Sequence, residues 1–404
     1  MISNNGLKLR IDNNSFMMFC IVMSMVFGLV LYFSPFISDG LRVSCYFMSM
    51  IFGFTGIFIY CANQGLRINS GFRIWLILFL YMLVTGLVMS SLGHGTYNTS
   101  DLISQDLRHC MYALIGFIFA DTRYFSKYTN IFAVIGKIGI IAGIIALGNY
   151  GFDINKVTSG ARLGIWELPY YCWWILGATS LFLFANALFN NTHRKLGFTV
   201  QILYVALGVL FLKRAPIVET AIIYICYVFL ARKRNRVLKT IIIVAVLLIV
   251  FKLLLSEVPY FEALNTSLQN RFSQDYATSS RVSEVTVYLE QTPLFQKIFG
   301  YGLGNEFIYM GAHKNSIHIG FYDALYKGGL PFILYYVVLL FKTIKLLYYR
   351  FTGLINLTDE ELCAISLTIL GLVSLSFGMC FSYTMVILNF TPSFGIVLGC
   401  TKND

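Results

Sequence analysis

Long apolar runs dominate the chain, separated by short polar segments. They are long enough to cross the hydrocarbon core of a bilayer as helices, which takes about 20 residues. The runs are continuous and lack the alternation of polar and apolar positions that marks a half-buried strand. Since a backbone in lipid must satisfy its own hydrogen bonds, the runs predict transmembrane helices. Twelve spans are expected, near residues 15–33, 41–62, 72–92, 102–120, 130–149, 167–189, 196–212, 215–231, 238–255, 319–348, 361–380 and 382–400.

One polar segment, residues 256–318, is far longer than the usual connection between two helices. Its many aromatic residues argue against disorder. The stretch "SSRVSEVTVYLEQTP" at 279–293 predicts a short helix, with a serine N-cap at its start and a proline beyond its end. The stretch "FGYGLGNEF" at 299–307 predicts a turn. We therefore predict an all-α, polytopic integral membrane protein. Residues 1–404 would form a single transmembrane domain, interrupted by one large outer loop, residues 256–318, carrying short helices.

Composition agrees with a membrane protein. Hydrophobic residues make up 57% of the chain and charged residues 12%, against about 25% charged in soluble domains. A net charge of +11 could suit a nucleic-acid-binding protein, but the cations cluster in short loops between apolar runs. With the N-terminus inside, most of these loops fall on the cytoplasmic side, as the positive-inside rule requires. The expected topology has an uncleaved first span, both termini in the cytoplasm and the loop 256–318 outside.

The sequence lacks the usual motifs of metal-dependent or nucleotide-dependent chemistry. The nine cysteines lie in or beside apolar runs without paired spacing, which is typical of small buried side chains. No Walker motif, HExxH, GxSxG or Asp-x-Asp pattern occurs. The glycines of "GYGLG", among them Gly302 and Gly304, follow no strand. They predict a tight turn whose backbone can approach a ligand rather than a dinucleotide site. We expect no metal and no cofactor.

Several cations lie where this topology expects few. Lys213 and Arg214 fall in the short outer link "LGVLFLKRAPIVETA", and Glu219 lies just inside the next span. One interpretation is an interfacial pair that reaches lipid headgroups, with Glu219 as its partner. The other is an anion site, because an arginine can pair with two phosphate oxygens at once. Further outer cations favour the second interpretation: Lys156, Arg162, Arg271, Arg281, Lys297 and Lys314.

His318 stands at the outer end of the span that follows the long loop. A neutral imidazole there can accept a proton from an attacking hydroxyl. Nearby arginines can neutralise the charge that develops on a phosphorylated leaving group. The alternative is a histidine that only caps the helix or lies at the interface. Together with the outer cations, His318 favours metal-independent transfer of a group from a phosphate-activated lipid carrier to a hydroxyl acceptor.

The stretch "HIGFYDALYKGGLPF" resembles the signature of the O-antigen polymerase and O-antigen ligase superfamily. In that family a histidine begins a membrane helix and a Gly-Leu pair follows within it. Here His318 is followed eleven residues later by Gly329 and Leu330. Three further features match in the same order along the chain: Arg214 between two closely spaced spans, Arg281 at the start of the amphipathic stretch, and the turn "GYGLG".

The family's histidine is usually followed by Asn, whereas Ile319 follows His318. The upstream sequence "HKNS" offers His313 with Asn315 as an alternative alignment. The spacing to the Gly-Leu pair favours His318.

The resemblance implies an inverting, metal-independent glycosyltransferase of the bacterial inner membrane. It would act at the periplasmic face on glycans linked to undecaprenyl diphosphate. His318 would activate the acceptor hydroxyl, while Arg214 and Arg281 would hold the diphosphate. Five residues would contribute to substrate binding: Arg162, Lys213, His313, Gly302 and Gly304. Membrane lipids and a chain-length-regulating co-polymerase are the other expected partners, and nucleic acid is not expected.

Three activities fit this outline. A polymerase transfers a growing glycan to a new lipid-linked repeat unit, and a ligase transfers finished glycan to lipid A-core. The residues do not separate these two, and polymerase is preferred because such polymerases are more numerous and divergent. A flippase for the same lipid-linked sugars would place its charges along a central cavity between repeated halves, whereas the cations here concentrate at the outer face.

Overall fold

The computed structural model describes residues 13–30, 38–64, 68–149, 168–210, 213, 215–231, 266, 280–377 and 384–400. The chain divides into two compact units, Met1–Ile68 and Asn69–Asp404. The first contains two packed helices, α1 (Asn13–Val30) and α2 (Asp39–Gln64). Two buried serines, Ser24 of α1 and Ser49 of α2, join the helices. The hydroxyl of each donates to the backbone carbonyl of the other at 2.8 Å. Serine hydrogen bonds of this kind are common between membrane helices.

The second unit carries the remaining helices and a small sheet. Its elements follow in the order α3 (Ser70–Ser91), β1 (Thr96–Tyr97), α4 (Thr99–Asp101), a π-helical turn (Leu102–Asp106), α5 (Leu107–Phe119), α6 (Thr122–Asn149), α7 (Leu168–Phe189), α8 (Arg194–Leu210), α9 (Ala215–Leu230), α10 (Ser280–Gln291), α11 (Leu294–Phe299), β2 (Asn305–Tyr309), β3 (Ala312–Lys314), α12 (Gly320–Thr352), α13 (Asp359–Phe377) and α14 (Thr384–Gly399).

Predicted span 238–255 lies outside the described residues. A helix overlaps each of the other predicted spans. Four helical segments among the described residues are long and apolar enough to cross a membrane: Gly40–Gln64, Ser70–Ser91, Tyr124–Ile145 and Gly320–Thr352. Their outward side chains are apolar, as lipid contact requires; on α3, Ile77, Leu80, Val84 and Leu87 each expose more than half of their surface. The chain is therefore a helical membrane protein. The number of spans and the side on which each loop lies stay predictions.

Helix α5 forms the centre of the second unit. Every residue from His109 to Phe119 is buried. It packs most closely on α14, where Gly116 leaves room for Thr391; a Cβ on this glycine would collide with the Thr391 side chain. The π-helical turn that precedes α5 ends at Asp106, and such turns are frequent at functional sites.

The loop predicted between residues 256 and 318 is described at residue 266 and from residue 280 onward. The predicted short helix is confirmed as α10, but the sequence did not predict the three antiparallel strands, in the order β1-β2-β3. Strand β1 precedes α5 in the chain, and pairs Thr96 with Glu306 of β2. Strands β2 and β3 form a hairpin that pairs Ile308 with His313. The sheet thus ties the long loop to the connection between α3 and α5.

Candidate functional site

The glycine turn at residues 300–304 lies between α3 and a break in α12. Helix α12 is interrupted at Gly329, which has φ 59° and ψ −154°. Two residues later Pro331 lacks the N–H that would bond to the Lys327 carbonyl in a regular helix. Gly302 takes that place, and its N–H donates to the Lys327 carbonyl at 2.9 Å. On the other side, the Leu303 N–H donates to the Met82 carbonyl of α3 at 3.0 Å.

Two buried charges hold the same turn. Lys327 forms an ion pair with Asp106, and each side chain is only 2% exposed. The other carboxylate oxygen of Asp106 accepts from the Gly304 N–H at 2.8 Å. Asp323, one turn before Lys327 on α12, is fully buried and accepts from the Ile317 N–H at 2.9 Å. Asp106 and Asp323 therefore bind backbone N–H groups of the long loop, and Lys327 pairs Asp106 with α12.

His318, the predicted catalytic histidine, is held by Glu284 of α10. The His318 Nδ1 lies 2.9 Å from the Glu284 Oε2, and the His318 backbone N–H donates to the same oxygen at 2.8 Å. Lys314 donates to the Glu284 Oε1 at 2.6 Å. The carboxylate is 1% exposed, whereas His318 and Lys314 are 39% and 30% exposed. The imidazole is thus fixed on one side and open to solvent on the other.

The charge of Glu284 follows from these contacts. Burial alone would raise its pKa, but hydrogen bonds from the His318 ring, Lys314 and the His318 backbone lower the pKa to about 2. Glu284 is therefore ionised at neutral pH. A buried carboxylate on Nδ1 favours the tautomer with its proton on that nitrogen, which leaves Nε2 as an acceptor.

Arg281 lies three residues before Glu284 on α10, so both side chains share one face of the helix. It is partly exposed, and it sits in the first turn, where the helix dipole favours an anion. Lys314 and His318 thus contact the buried carboxylate, and Arg281 lies on the same face of α10, three residues before Glu284. Behind them is a buried cluster of Val285, Tyr288, Tyr301, Phe307, Tyr309, Ile317, Ile319 and Tyr326.

The structure separates the two candidate histidines. Side chains alternate along a strand, so His313 and Lys314 of β3 point to opposite faces of the hairpin. His313, 51% exposed, places its Nδ1 3.2 Å from the Glu306 Oε2. Glu306 also accepts from the Asn98 side chain at 2.7 Å. Nearby Asp101 has its pKa raised to about 6, first by burial and then by Glu306.

Of the other predicted cations of the site, the structure describes Lys213 but not Arg162 or Arg214. Lys213 is half-buried between α8 and α9, and its N–H donates to the Gly208 carbonyl at 2.8 Å. Arg162 and Arg214 lie outside the described residues. Glu219 is buried and accepts from the Tyr204 hydroxyl at 3.2 Å.

Gly302 and Gly304 do form the predicted turn. Both are buried, and their N–H groups bond to protein oxygens rather than pointing at open space.

Sequence reasoning missed Glu284 and Asp106. Glu284 had one local signal, its position three residues after Arg281 on a predicted helix. Asp106 had none, because its partner Lys327 is 221 residues away. Among the described residues, no group of three or more His, Cys, Asp or Glu side chains is arranged to hold a metal ion. Comparison of the chain with protein-family models, curated proteins and solved structures gave no match.

Proposed function

We propose that this protein is a polysaccharide polymerase of the O-antigen type, an inverting glycosyltransferase that needs no metal. It would transfer glycan from undecaprenyl diphosphate to a lipid-linked repeat unit at the periplasmic face of the inner membrane. The observation that carries the proposal is the His318–Glu284 pair, a partly exposed imidazole fixed by a buried carboxylate that follows Arg281 by three residues on α10. Both termini would be cytoplasmic, as the distribution of cations predicts.

In the proposed reaction, the His318 Nε2 takes the proton of the acceptor hydroxyl as its oxygen attacks the anomeric carbon. The bond between that carbon and the phosphate oxygen breaks, and undecaprenyl diphosphate leaves with the electron pair. Arg281 and Lys314 stabilise the negative charge on the leaving diphosphate. Attack from the face opposite the leaving group inverts the anomeric centre.

The geometry supports a base better than a structural histidine. A capping or interfacial histidine needs no buried carboxylate, and burying Glu284 is costly unless it is paired. Among the described residues, Glu284 is the contact that the structure gives for the His318 ring. The opposite ring nitrogen is therefore available to a substrate hydroxyl.

The test uses purified protein in detergent with a synthetic undecaprenyl-diphosphate repeat unit as the sole substrate. We expect a ladder of products from the wild type and none from His318→Ala or Arg281→Ala. His94→Ala is the control, because it removes an exposed histidine between α3 and β1 that has no role in the proposed reaction, and it should keep the ladder. His313→Ala tests the alternative histidine of the long loop. Folding of each variant is checked by circular dichroism and size-exclusion chromatography.

Failure of the wild type to form a ladder would count against the polymerase for that substrate. Loss of the ladder in His313→Ala with retention in His318→Ala would show that His313, and not His318, is the catalytic histidine. Lipid A-core added as acceptor would reveal a ligase, and an assay of lipid movement across vesicles would reveal a flippase.

A further inference from the structure

Part of the long loop lies well below the ends of the helices that it packs against. The Tyr81 hydroxyl of α3 donates to the Phe299 carbonyl, at the end of α11, at 2.8 Å. Four residues later, the Leu303 N–H donates to the Met82 carbonyl at 3.0 Å. Met82 precedes the end of α3 by nine residues. Gly329, which the Phe299 end of α11 contacts, follows the start of α12 by nine residues. At 1.5 Å per residue, both positions are about 13 Å inside the ends of their helices.

The same two helices match the thickness of a bilayer. Ser70, at the start of α3, and Lys342 of α12 both donate to the Leu398 carbonyl, at 3.3 and 2.9 Å, so they lie at about the same level. From that level α3 runs 21 residues to Ser91, and α12 runs 22 residues back to Gly320. Each stretch is about 32 Å long, against a hydrocarbon core of about 30 Å. The contacts with the loop are therefore at the depth of one leaflet.

The exposed side chains of the loop change from polar to apolar between α10 and α11. Among the described side chains of α10, the exposed ones are Thr286, Glu290 and Gln291, all of them polar. On α11 the exposed side chains are all apolar: Leu294, Phe295, Ile298 and Phe299, at 71%, 50%, 39% and 42%. Four such side chains on a six-residue helix form an apolar patch, which marks an interaction surface rather than a surface in contact with water.

The backbone of this segment meets the requirement for a chain inside a membrane. Non-helical backbone is tolerated at membrane depth only where protein covers it. Residues 300–304 are not helical, and all five are buried. Each of their N–H groups donates to a protein oxygen. The exposed part of the segment, α11, is helical. Its one cation, Lys297, is half-buried in the last turn, and a lysine there can extend its ammonium to the interface while its stem stays among apolar groups.

We propose that residues 294–304 form a re-entrant segment, which enters one leaflet of the bilayer and returns to the same side. The exposed face of α11 lies against the acyl chains of bilayer lipids. That face continues the lipid-facing surfaces of α3 and α12, where Leu80 and Leu330 expose 51% and 48% of their surface. The proposal revises the expected topology, in which all of residues 256–318 lie outside the membrane. It does not depend on the proposed glycosyl transfer.

The experiment measures the access of two paramagnetic reagents to a nitroxide at position 295, with the full chain in liposomes. The label is attached to Phe295→p-acetylphenylalanine, so the nine native cysteines stay unchanged. Oxygen partitions into the bilayer, whereas a nickel chelate stays in water. Leu80 on α3 is the lipid-facing reference, and Glu290 on α10 is the aqueous reference. We expect the oxygen-to-nickel ratio at Phe295 to be within about twofold of Leu80 and about tenfold above Glu290, because the bilayer core holds no water.

Leu294 carries the same label as a second position, because a change at Phe295 could disturb folding. Size-exclusion chromatography checks each labelled protein. A ratio equal to that of Glu290 at the folded positions would place α11 in water and overturn the proposal. Low access of both reagents would show that protein covers α11, for example a second copy of the chain, and would overturn it as well. A lipid-like ratio at the folded positions supports the re-entrant segment.

Discussion

Replacing Glu284 with Gln tests how His318 is held. The change keeps the size of the side chain but removes the charge that accepts from the His318 ring, the His318 N–H and Lys314. The fall in the Glu284 pKa from 4.5 to about 2 corresponds to about 3 kcal/mol of preference for the ionised form, at about 1.36 kcal/mol per pKa unit. Because both partners are about a third exposed, water screens part of this. We expect Glu284→Gln to lower the free energy of unfolding by about 2 kcal/mol.

The sign of the pH dependence follows from the lowered pKa. Glu284 stabilises the fold fully above its unfolded pKa of 4.5. Below pH 4.5 the unfolded state takes up a proton that the folded state does not, so the stabilisation declines, and it is lost once the pH has fallen through about 2 and the folded state is protonated as well. The difference between wild type and variant should therefore be constant at neutral pH and shrink between pH 4.5 and 2. Denaturant titration in detergent at several pH values measures it.

The effect on activity is separate from the effect on stability. General-base catalysis contributes about 10²–10⁴-fold, which His318→Ala should lose entirely. Glu284 acts through His318 as a positioning residue, and Glu284→Gln should lose at least about tenfold in kcat with little change in the KM of the acceptor. Glu290→Gln is the matched control, an exposed glutamate on the same helix. Unchanged kcat in folded Glu284→Gln would refute the proposed role.

Three further changes test the structure around the site. Asp101→Asn should stabilise the protein at pH 8 and have no effect near pH 3. The pKa of this carboxyl is raised to about 6, so its ionised form is unfavourable in the folded state and its protonated form is not. Thermal unfolding at the two pH values checks this, and an equal effect at both would contradict it. Lys327→Met should cost about 3–5 kcal/mol because Asp106 is left buried without its cation. Adding Asp106→Asn should recover part of that loss in denaturant titrations, and a lack of recovery would show that the pair is not coupled. Gly329→Ala should cost more than 1 kcal/mol, from the positive φ and from a Cβ that would collide with the Ile298 carbonyl; wild-type thermal stability of this variant would contradict the observed break in α12.

Most of the helical fold follows from the sequence. A membrane helix is recognised by a continuous apolar run, and that property depends only on neighbours along the chain. For this reason α2 and α3 lie within a few residues of their predicted spans. The short helix α10 was also predictable, because the two serines at its predicted start and the proline beyond its end are local signals.

The sheet could not be predicted in the same way. Strand β1 has two residues and pairs with β2 about two hundred residues later, so neither strand has a recognisable alternation of its own. The break in α12 had a visible cause in Gly329 and Pro331. What fills the break, the turn at Gly302, depends on how the loop packs.

The candidate site shows the same division. The sequence by itself determined that the chain is a helical membrane protein, and it singled out His318 and Arg281 as unusual residues for such a chain. Only the tertiary structure decided that Glu284 holds His318, that His313 faces the other side of the hairpin, and that Lys327 pairs with Asp106. Hydrophobic runs and helix signals act over a few residues, whereas each of these contacts joins side chains from separate elements. Such pairs are fixed by packing, which no local pattern encodes.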